Sequence, residues 1–243
     1  MNRTQCILIC SLATFLISVP LSASAQWEKK AYSEWTDKDA LRVLNDSPWG
    51  RTQVFTTSAT LFKQPTSGRQ GSTNPTVANN ANATHINFRV RFLSAKPVRQ
   101  AIIRLLEIRQ KEPANEEMAA HLKSLASGDF LEIIVVTVSV DSTEAGANMQ
   151  EALSLLYKRG TADLKNNTFL EIKGGKRVFL QEYQQPKKDG LGGRFIFSRL
   201  VDGKPFITPE SEEVRFYTEL DSAYKLDRRF KVKDMNFEGK LEY

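Results

Sequence analysis

The sequence has little cysteine and little histidine, and both shortages limit the chemistry that it can support. Its two cysteines, Cys6 and Cys10, lie within the first ten residues, so the rest of the chain can form no internal disulfide and no thiolate nucleophile. The two histidines, His85 and His121, have no third ligand at a zinc-binding spacing. No Gly-x-Ser-x-Gly string marks a serine nucleophile. The sequence therefore predicts neither a metal nor another cofactor.

The one apolar run that deserves consideration as a membrane segment lies at the N-terminus and is typical of a secretory signal peptide. Arg3 precedes an apolar run from Cys6 to Val19, and the small residues Ala23-Ser24-Ala25 follow it. We expect cleavage after Ala25, so that residues 1–25 are the signal peptide and the protein is exported, to the periplasm or the medium. An uncleaved anchor is the alternative, but the 14-residue run is shorter than the roughly 20 residues that span a bilayer. We expect no transmembrane segment after cleavage.

The chain that follows the signal peptide is long enough for one large domain without disulfides. Thr36 and Asp39 have the spacing of a capping box, which predicts a helix from Asp37 to about Asn45. Apolar residues at helical spacing predict three more helices, beginning near Pro97, Asn115 and Met149. The segment from Pro65 to Thr84 is rich in small polar residues and has little to bury, so we expect a mobile loop there.

Strands are predicted by alternation and by β-branched runs. His85 to Phe92 alternates apolar and polar residues, as a half-buried strand does. Phe130 to Val140 is nearly all apolar, which suits a central strand buried on both faces. Further strands are predicted at 51–62, 169–173, 176–183, 194–200, 214–220 and 228–235. We expect a single α+β domain over residues 26–243, with a largely antiparallel sheet of about seven or eight strands and three or four helices packed against it.

Three residues are weak candidates for catalysis. Asp141 and Glu144 follow the predicted central strand, where active-site loops often begin, but the segment 141–144 is also an ordinary helix-capping sequence. His121 lies one helical turn after Glu117, which suits an acid/base pair, half of a metal site, or a surface ion pair. A hydrolase-type enzyme would have to assemble its site from distant carboxylates such as these.

Tryptophans are concentrated near the start of the predicted domain. Trp35 and Trp49, together with Trp27, are candidates for docking a protein partner or stacking on a sugar. The alternative is that these rings pin an N-terminal arm, residues 26–35, to the rest of the domain.

Basic residues on the predicted strands are a second candidate for binding. They would form one stripe if their strands pair, and they comprise Arg89, Arg91, Lys225, Arg228, Arg229, Lys231 and Lys233. The main binding candidates among them are Arg89, Arg91, Arg229 and Lys231. Such a stripe would suit an acidic polysaccharide, a lipid headgroup or an acidic protein, whereas the alternative is a set of solvated faces. The formal net charge of +6 favours acidic partners only mildly, and export argues against nucleic acid.

A glycine-rich segment, Gly190-Leu191-Gly192-Gly193, precedes Arg194. Backbone amides of such a segment can cradle an anion. However, it lacks the lysine and hydroxyl spacing of a P-loop, and a predicted strand rather than a helix follows it. A flexible hairpin connection is the other interpretation.

Several short motifs of the chain resemble those of a group of uncharacterised exported bacterial proteins of the acidobacterial kind. The motifs are Trp35 before the first helix, Ser47-Pro48-Trp49, Arg194-Phe195-Ile196-Phe197, Asp234-Met235 and Gly239-Lys240-Leu241-Glu242-Tyr243. The resemblance implies a bacterial source and export, and it implies no activity and no role for any residue.

The function favoured by these observations is a non-enzymatic binding or envelope-associated module, with an envelope protein or a polysaccharide as its partner. Two alternatives stay open. One is a hydrolase-type enzyme with a carboxylate-based site near Asp141. The other is a binder of anionic surfaces that uses the basic strands.

Overall fold

The computed structural model describes residues 26–57, 84–110, 116–142 and 147–243. The helices in these ranges are α1 (Asp37–Asn45), α2 (Lys96–Arg109), α3 (Glu116–Ser127), α4 (Ala147–Lys158) and α5 (Thr161–Leu164). The first strands are β1 (Gly50–Thr57), β2 (Thr84–Phe92), β3 (Ile133–Ser142), β4 (Thr168–Ile172), β5 (Arg177–Phe179), β6 (Glu182–Gln184) and β7 (Gly193–Ser198). The remaining strands are β8 (Leu200–Val201), β9 (Lys204–Pro205), β10 (Glu213–Glu219), β11 (Lys225–Lys231), β12 (Asn236–Phe237) and β13 (Lys240–Leu241). The expected signal peptide, residues 1–25, lies outside the described residues. Residues 65–83 of the expected loop also lie outside them, and its last residue, Thr84, is the first residue of β2.

The described strands form two main antiparallel sheets and two short hairpins. One sheet has five strands in the order β1-β2-β3-β7-β6, and the other has four in the order β11-β10-β4-β5. The hairpins are β8-β9 and β12-β13. Every one of these pairings is antiparallel. The predicted α+β class with largely antiparallel strands is confirmed, but the strands are divided between two sheets.

The chain passes between the sheets inside a segment that was predicted as one strand, 176–183. The backbone N–H of Leu180 donates to Thr168 O on β4, in the four-stranded sheet. The next N–H, that of Gln181, donates to Ile196 O on β7, in the five-stranded sheet. The segment therefore forms a corner, at which a bent strand leaves one sheet and joins the other.

The core lies between the inner faces of the two sheets. On β2 the predicted alternation is confirmed, since four side chains are fully buried: Ile86, Phe88, Val90 and Phe92. Edge-to-face ring contacts join the sheets, with centroid distances of 4.9 Å between Phe92 and Phe230 and 5.4 Å between Phe195 and Phe216. Such contacts add to the burial of apolar area that holds the two layers together.

Strand β3 occupies the middle of the five-stranded sheet, and residues 134–138 are buried on both of its faces. This confirms the central strand that its apolar run predicts. Helix α1 packs against β1 and α2, α2 packs against α3, and α4 packs against β2 and β3. Across the described residues, none of the helices is both long enough and apolar enough to cross a membrane.

Helix α1 begins with the predicted capping box and has the predicted bounds. The Asp39 N–H donates to Thr36 Oγ1 at 3.1 Å, and the Thr36 N–H donates to Asp39 Oδ2 at 3.1 Å. The bond from the Thr36 backbone holds the pKa of Asp39 below its ordinary value. Two otherwise unpaired N–H groups of the first turn are thus satisfied by side chains.

The outer strands of the two sheets meet through one side chain. Gln53 on β1 donates from Nε2 to Lys225 O at 2.8 Å, and its Oε1 accepts from the Asp227 N–H at 2.9 Å. Both partners are backbone groups of β11. The Gln53 amide therefore makes the two hydrogen bonds that the backbone of a paired strand would make.

Strand β11 begins and ends earlier than the sequence predicts. The prediction was 228–235, and the strand is Lys225–Lys231. Residues 232–234 form a 3-10 turn instead, with Val232 buried. The apolar residues Val232 and Met235 therefore pack into the core from a turn, although their position in the sequence resembles a continuation of the strand.

Candidate functional site

The three tryptophans that are candidates for docking are buried. The exposed fractions are 0% for Trp35, 1% for Trp49 and 2% for Trp27. The Trp27 ring lies 5.4 Å from Trp35 and 6.3 Å from Trp49, between ring centroids. Because these rings are enclosed by one another and by the core, they offer a partner no surface. The docking interpretation of Trp35 and Trp49 is corrected to a packing role.

The polar atoms of these rings are also satisfied inside the protein. Trp49 Nε1 donates to Glu242 O at 2.7 Å, and Trp35 Nε1 donates to Trp27 O at 2.9 Å. Phe237 of β12 stacks on Trp27 at 6.5 Å. The cluster therefore ties the N-terminal arm to the last strands of the fold.

Asp141 is engaged by neighbours on the outer face of the five-stranded sheet. Its Oδ1 accepts from Asn87 Nδ2 at 2.9 Å, and its carboxylate also pairs with the guanidinium of Arg89. Arg89 Nη1 donates in addition to Thr52 Oγ1 at 3.0 Å. A carboxylate held in this way is suited to linking β2 and β3. The surroundings of Asp141 thus favour a structural role over a catalytic one.

Arg91 is held on the same sheet face by oxygen acceptors. Its Nε donates to Leu44 O, Nη1 to Ser139 Oγ and Nη2 to Asn45 Oδ1, at 2.9, 3.0 and 2.9 Å. Burial, with a contribution from the charge of Arg89, lowers the pKa of Arg91 to about 10. The guanidinium stays protonated at neutral pH, and it joins α1 to the sheet.

The side chains of the other two catalytic candidates lie outside the described part of the structure. Glu144 lies outside the described residues, and for His121 only the backbone, on α3, is described. His85 is exposed at the start of β2, and its Nδ1 lies 3.1 Å from Thr56 Oγ1. Within the described ranges, no three His, Cys, Asp or Glu side chains are grouped as a metal site would require.

The basic residues do not form one stripe. Arg89 and Arg91 lie on the outer face of the five-stranded sheet, whereas Arg229 and Lys231 lie on the outer face of the four-stranded sheet. Arg229 is also paired with Glu213, at 2.7 Å. The predicted anion-binding stripe is therefore wrong, because the strands that carry it belong to different sheets.

The outer face of the four-stranded sheet instead carries a network of ion pairs centred on Arg215. Its Nε and Nη2 each donate to one carboxylate oxygen of Asp227 at 2.8 Å, and Nη1 donates to Glu171 at 3.4 Å. The hydrogen bond from Arg215 lowers the pKa of Asp227. This bidentate geometry is the strong form of an arginine–carboxylate pair.

The Arg215–Asp227 pair predicts a pH-dependent contribution to stability. Because the pKa of Asp227 is depressed in the folded state, the pair stabilises the fold above the unfolded-state pKa, and this is lost as the pH falls through the folded-state pKa. Arg215→Met should therefore destabilise the protein at neutral pH, and the difference from wild type should shrink below about pH 4. Urea unfolding at a series of pH values measures this. Lys231→Met removes the same charge from the same sheet, and a pH profile of Arg215→Met parallel to that of Lys231→Met would contradict the assignment.

An open and largely apolar cleft lies between α2 and α3. Its volume is about 350 Å³, and its apolar lining consists of Leu93, Ile102, Ile103, Leu106, Leu122, Leu125, Phe130 and Leu191. Ile103 and Leu122 are buried at its floor, whereas Leu106 and Leu125 are each 45% exposed at its rim. Among the sequence candidates, Leu191 of the glycine-rich segment and the adjacent Arg194 line this α2–α3 cleft, whereas Asp141 and the tryptophans do not.

Arg99 lines the α2–α3 cleft and is buried, and no carboxylate of the described residues is hydrogen-bonded to it. Its Nε donates to Leu125 O at 3.0 Å, and its two terminal nitrogens donate to Ser94 O and Gly128 O. Burial lowers the pKa of Arg99, but a guanidinium stays charged in proteins. Arg99 therefore joins the first turn of α2 to the turn after β2 and to the end of α3, and it brings a positive charge to the cleft.

Arg194 and Asp189 form the polar end of the same cleft. Arg194, on β7, donates from Nη2 to Asp189 Oδ2, while its Nη1 is buried without a hydrogen-bond partner among the described residues. The Leu191 N–H donates to Asp189 Oδ1 at 3.1 Å. Partial burial acts to raise the pKa of Asp189, but the bonds from Leu191 and Arg194 outweigh it, so the pKa lies below its ordinary value.

The glycine-rich segment is the connection between β6 and β7, as the hairpin interpretation proposed. It carries Asp189 and Leu191 to the wall of the α2–α3 cleft. The sequence contained one signal for the cleft: Ile102, Leu106 and Leu125 extend the apolar stripes of α2 and α3 beyond what a single buried face needs.

Comparisons with known proteins give the chain no family. No protein-family model matches it, and no curated protein sequence matches it. A crystal structure of a novel protein of unknown function from Burkholderia pseudomallei is similar to it at 13% sequence identity, with a TM-score of 0.39, over 59% of this chain and 74% of that chain.

Proposed function

We propose that this chain is an exported, non-enzymatic binding module that holds a small, mainly apolar molecule in the α2–α3 cleft. The observation that carries the proposal is the cleft itself: about 350 Å³ of open space lined by leucine, isoleucine and phenylalanine, with charged groups confined to a few positions. Small-molecule sites in proteins have volumes of roughly 300–1,000 Å³ and this kind of lining.

The rim of the cleft supports binding rather than simple packing. Leu106 and Leu125 are 45% exposed, and Leu131, which follows Phe130 of the lining, is 74% exposed. Neighbouring exposed apolar side chains around a concave site are typical of surfaces that cover a ligand. A bound molecule would remove these side chains from water.

The proposal includes export, which the sequence of residues 1–25 supports. A basic residue, an apolar run and a small-residue triplet stand there in the order of a secretory signal. Because the rest of the chain has no cysteine, the fold would not depend on oxidation after export. An envelope-associated protein of this kind would encounter lipids and other amphipathic molecules.

Titration of residues 26–243 with N-phenyl-1-naphthylamine, a neutral apolar dye that becomes fluorescent in apolar sites, tests the proposal. We expect saturable binding to the wild type. Ile102→Trp places a large ring in the cleft and should weaken dye binding about tenfold or more, since each buried methylene equivalent contributes about 0.8 kcal/mol.

Ile108→Trp is the matched control. Ile108 lies on the same helix as Ile102, is 39% exposed and does not line the cleft. This variant should bind the dye as the wild type does. An absence of saturable binding to the wild type, or an equal loss in both variants, would contradict the proposed site.

A further inference from the structure

The side chains that line the α2–α3 cleft include more positive than negative charges. Two guanidinium groups, those of Arg99 and Arg194, line it, and one carboxylate, that of Asp189, accompanies them. The lining therefore has one more positive than negative charge, while the carboxylates of Glu242 and Asp129 act on Arg99 from outside it. A lining of this charge favours a ligand with a negative group over a neutral one.

The two arginines differ in how many of their hydrogen-bond donors are already used. All three nitrogens of the Arg99 guanidinium already donate to backbone carbonyls, which fixes the group in place. Arg194 donates only through Nη2, to Asp189, and its buried Nη1 has no partner among the described residues. Arg194 is therefore the group in the cleft whose hydrogen-bonding capacity is incomplete.

The groups around Arg194 indicate which anion fits. A guanidinium presents parallel N–H groups that match the two oxygens of a carboxylate. In this structure a carboxylate, that of Asp189, already occupies one side of Arg194. The Asp189 side chain is 38% exposed, so it can move into water when another carboxylate takes its place.

We infer that the ligand of the α2–α3 cleft is an alkyl carboxylic acid, such as a fatty acid, whose chain lies along α2 and α3 and whose carboxylate binds Arg194 in exchange for Asp189. This inference rests on the proposed function, since it names the chemistry of the ligand at that site. The exchange forms two charge-assisted hydrogen bonds to Arg194, including one from Nη1, and returns Asp189 to solvent.

Competition between the neutral dye and two ligands of equal chain length tests the inference. Decanoic acid, ionised at neutral pH, and decan-1-ol are each titrated against bound N-phenyl-1-naphthylamine. We expect the acid to bind the wild type about tenfold more tightly than the alcohol, as a charge-assisted hydrogen bond predicts. In Arg194→Met the acid should lose this advantage over the alcohol.

Two further variants keep the test decisive. Asp189→Asn removes the competing charge and should tighten the binding of decanoic acid several-fold relative to that of decan-1-ol. It tests the inference even if Arg194→Met does not fold. Arg177→Met, at an exposed arginine of the four-stranded sheet, removes the same charge as Arg194→Met and should leave the preference for the acid intact.

The outcomes separate the two proposals. If the dye and the alcohol bind but the wild type does not prefer the acid, the inference about the carboxylate is overturned and the proposed function stands. The same conclusion follows if the acid keeps its advantage in a folded Arg194→Met variant. If the dye, the alcohol and the acid all fail to bind, the proposed function itself is overturned.

Discussion

Replacing Trp49 by alanine is expected to lower the free energy of unfolding by about 3–5 kcal/mol, the range for a fully buried large aromatic residue. Trp49 is 1% exposed, contacts Trp27 and Phe237, and donates from Nε1 to Glu242 O at 2.7 Å. Alanine would leave a cavity beside these rings. It would also remove the donor to the carbonyl of Glu242. Both effects destabilise the folded state.

Chemical denaturation of residues 26–243, followed by circular dichroism, measures this loss. Trp49→Phe keeps most of the ring and removes only the N–H, so it should lie between the wild type and Trp49→Ala. Val54 lies on β1, the strand that follows Trp49, and is 54% exposed. Val54→Ala should therefore change the free energy of unfolding by no more than about 0.5 kcal/mol. A Trp49→Ala protein as stable as Val54→Ala would show that the tryptophan cluster does not hold the arm.

This expectation changes how binding experiments with these residues must be interpreted. A loss of binding in Trp35→Ala or Trp49→Ala would report partial unfolding rather than a lost docking surface, because both rings are inside the protein. Cleft residues such as Ile102 are the appropriate positions for testing ligand binding.

The second large effect is expected at Gly192, in the connection between β6 and β7. Gly192 has a φ of +85°, and a Cβ added there would lie 2.1 Å from the backbone oxygen of Val138. Backbone of a central strand cannot move away as a flexible side chain can. Gly192→Ala should therefore destabilise the protein by about 3 kcal/mol or more, through left-handed strain together with overpacking.

Gly190 provides a control two residues away. Its φ is +74°, but a Cβ there would meet nothing within 4 Å. Gly190→Ala should therefore cost only about 1–2 kcal/mol, the strain of the left-handed conformation alone. Thermal and urea unfolding of the two variants isolate the clash with Val138. Equal losses would mean that the approach of Gly192 to β3 is not as close as described.

Much of the fold could be predicted from the sequence where a local pattern decides the structure. The alternation of Ile86, Phe88, Val90 and Phe92 predicted β2, and the Thr36–Asp39 spacing predicted α1. The passage from β5 to β6 could not be predicted, because Leu180 and Gln181 continue the strand pattern while their hydrogen bonds go to different sheets. Pairing partners are a property of the whole fold.

The candidate site was harder to predict than the fold, and the reason is physical. Trp35, Trp49, Arg89 and Arg91 attract attention because they are large or charged, yet tertiary contacts enclose the first two and pair the others. The α2–α3 cleft is made by ordinary leucines and isoleucines. Helical periodicity indicates which of them face inward, but it does not indicate that two helices leave space between them.

The side chain of Gln53 has a consequence for how this protein behaves at high concentration. Edge strands normally expose N–H and C=O groups that recruit strands of other molecules and so promote aggregation. Here β1 and β11 face one another, and the Gln53 amide occupies Lys225 O and the Asp227 N–H. These two backbone groups of β11 are therefore not open to pairing with a strand of another molecule. We expect Gln53 to reduce aggregation through this edge.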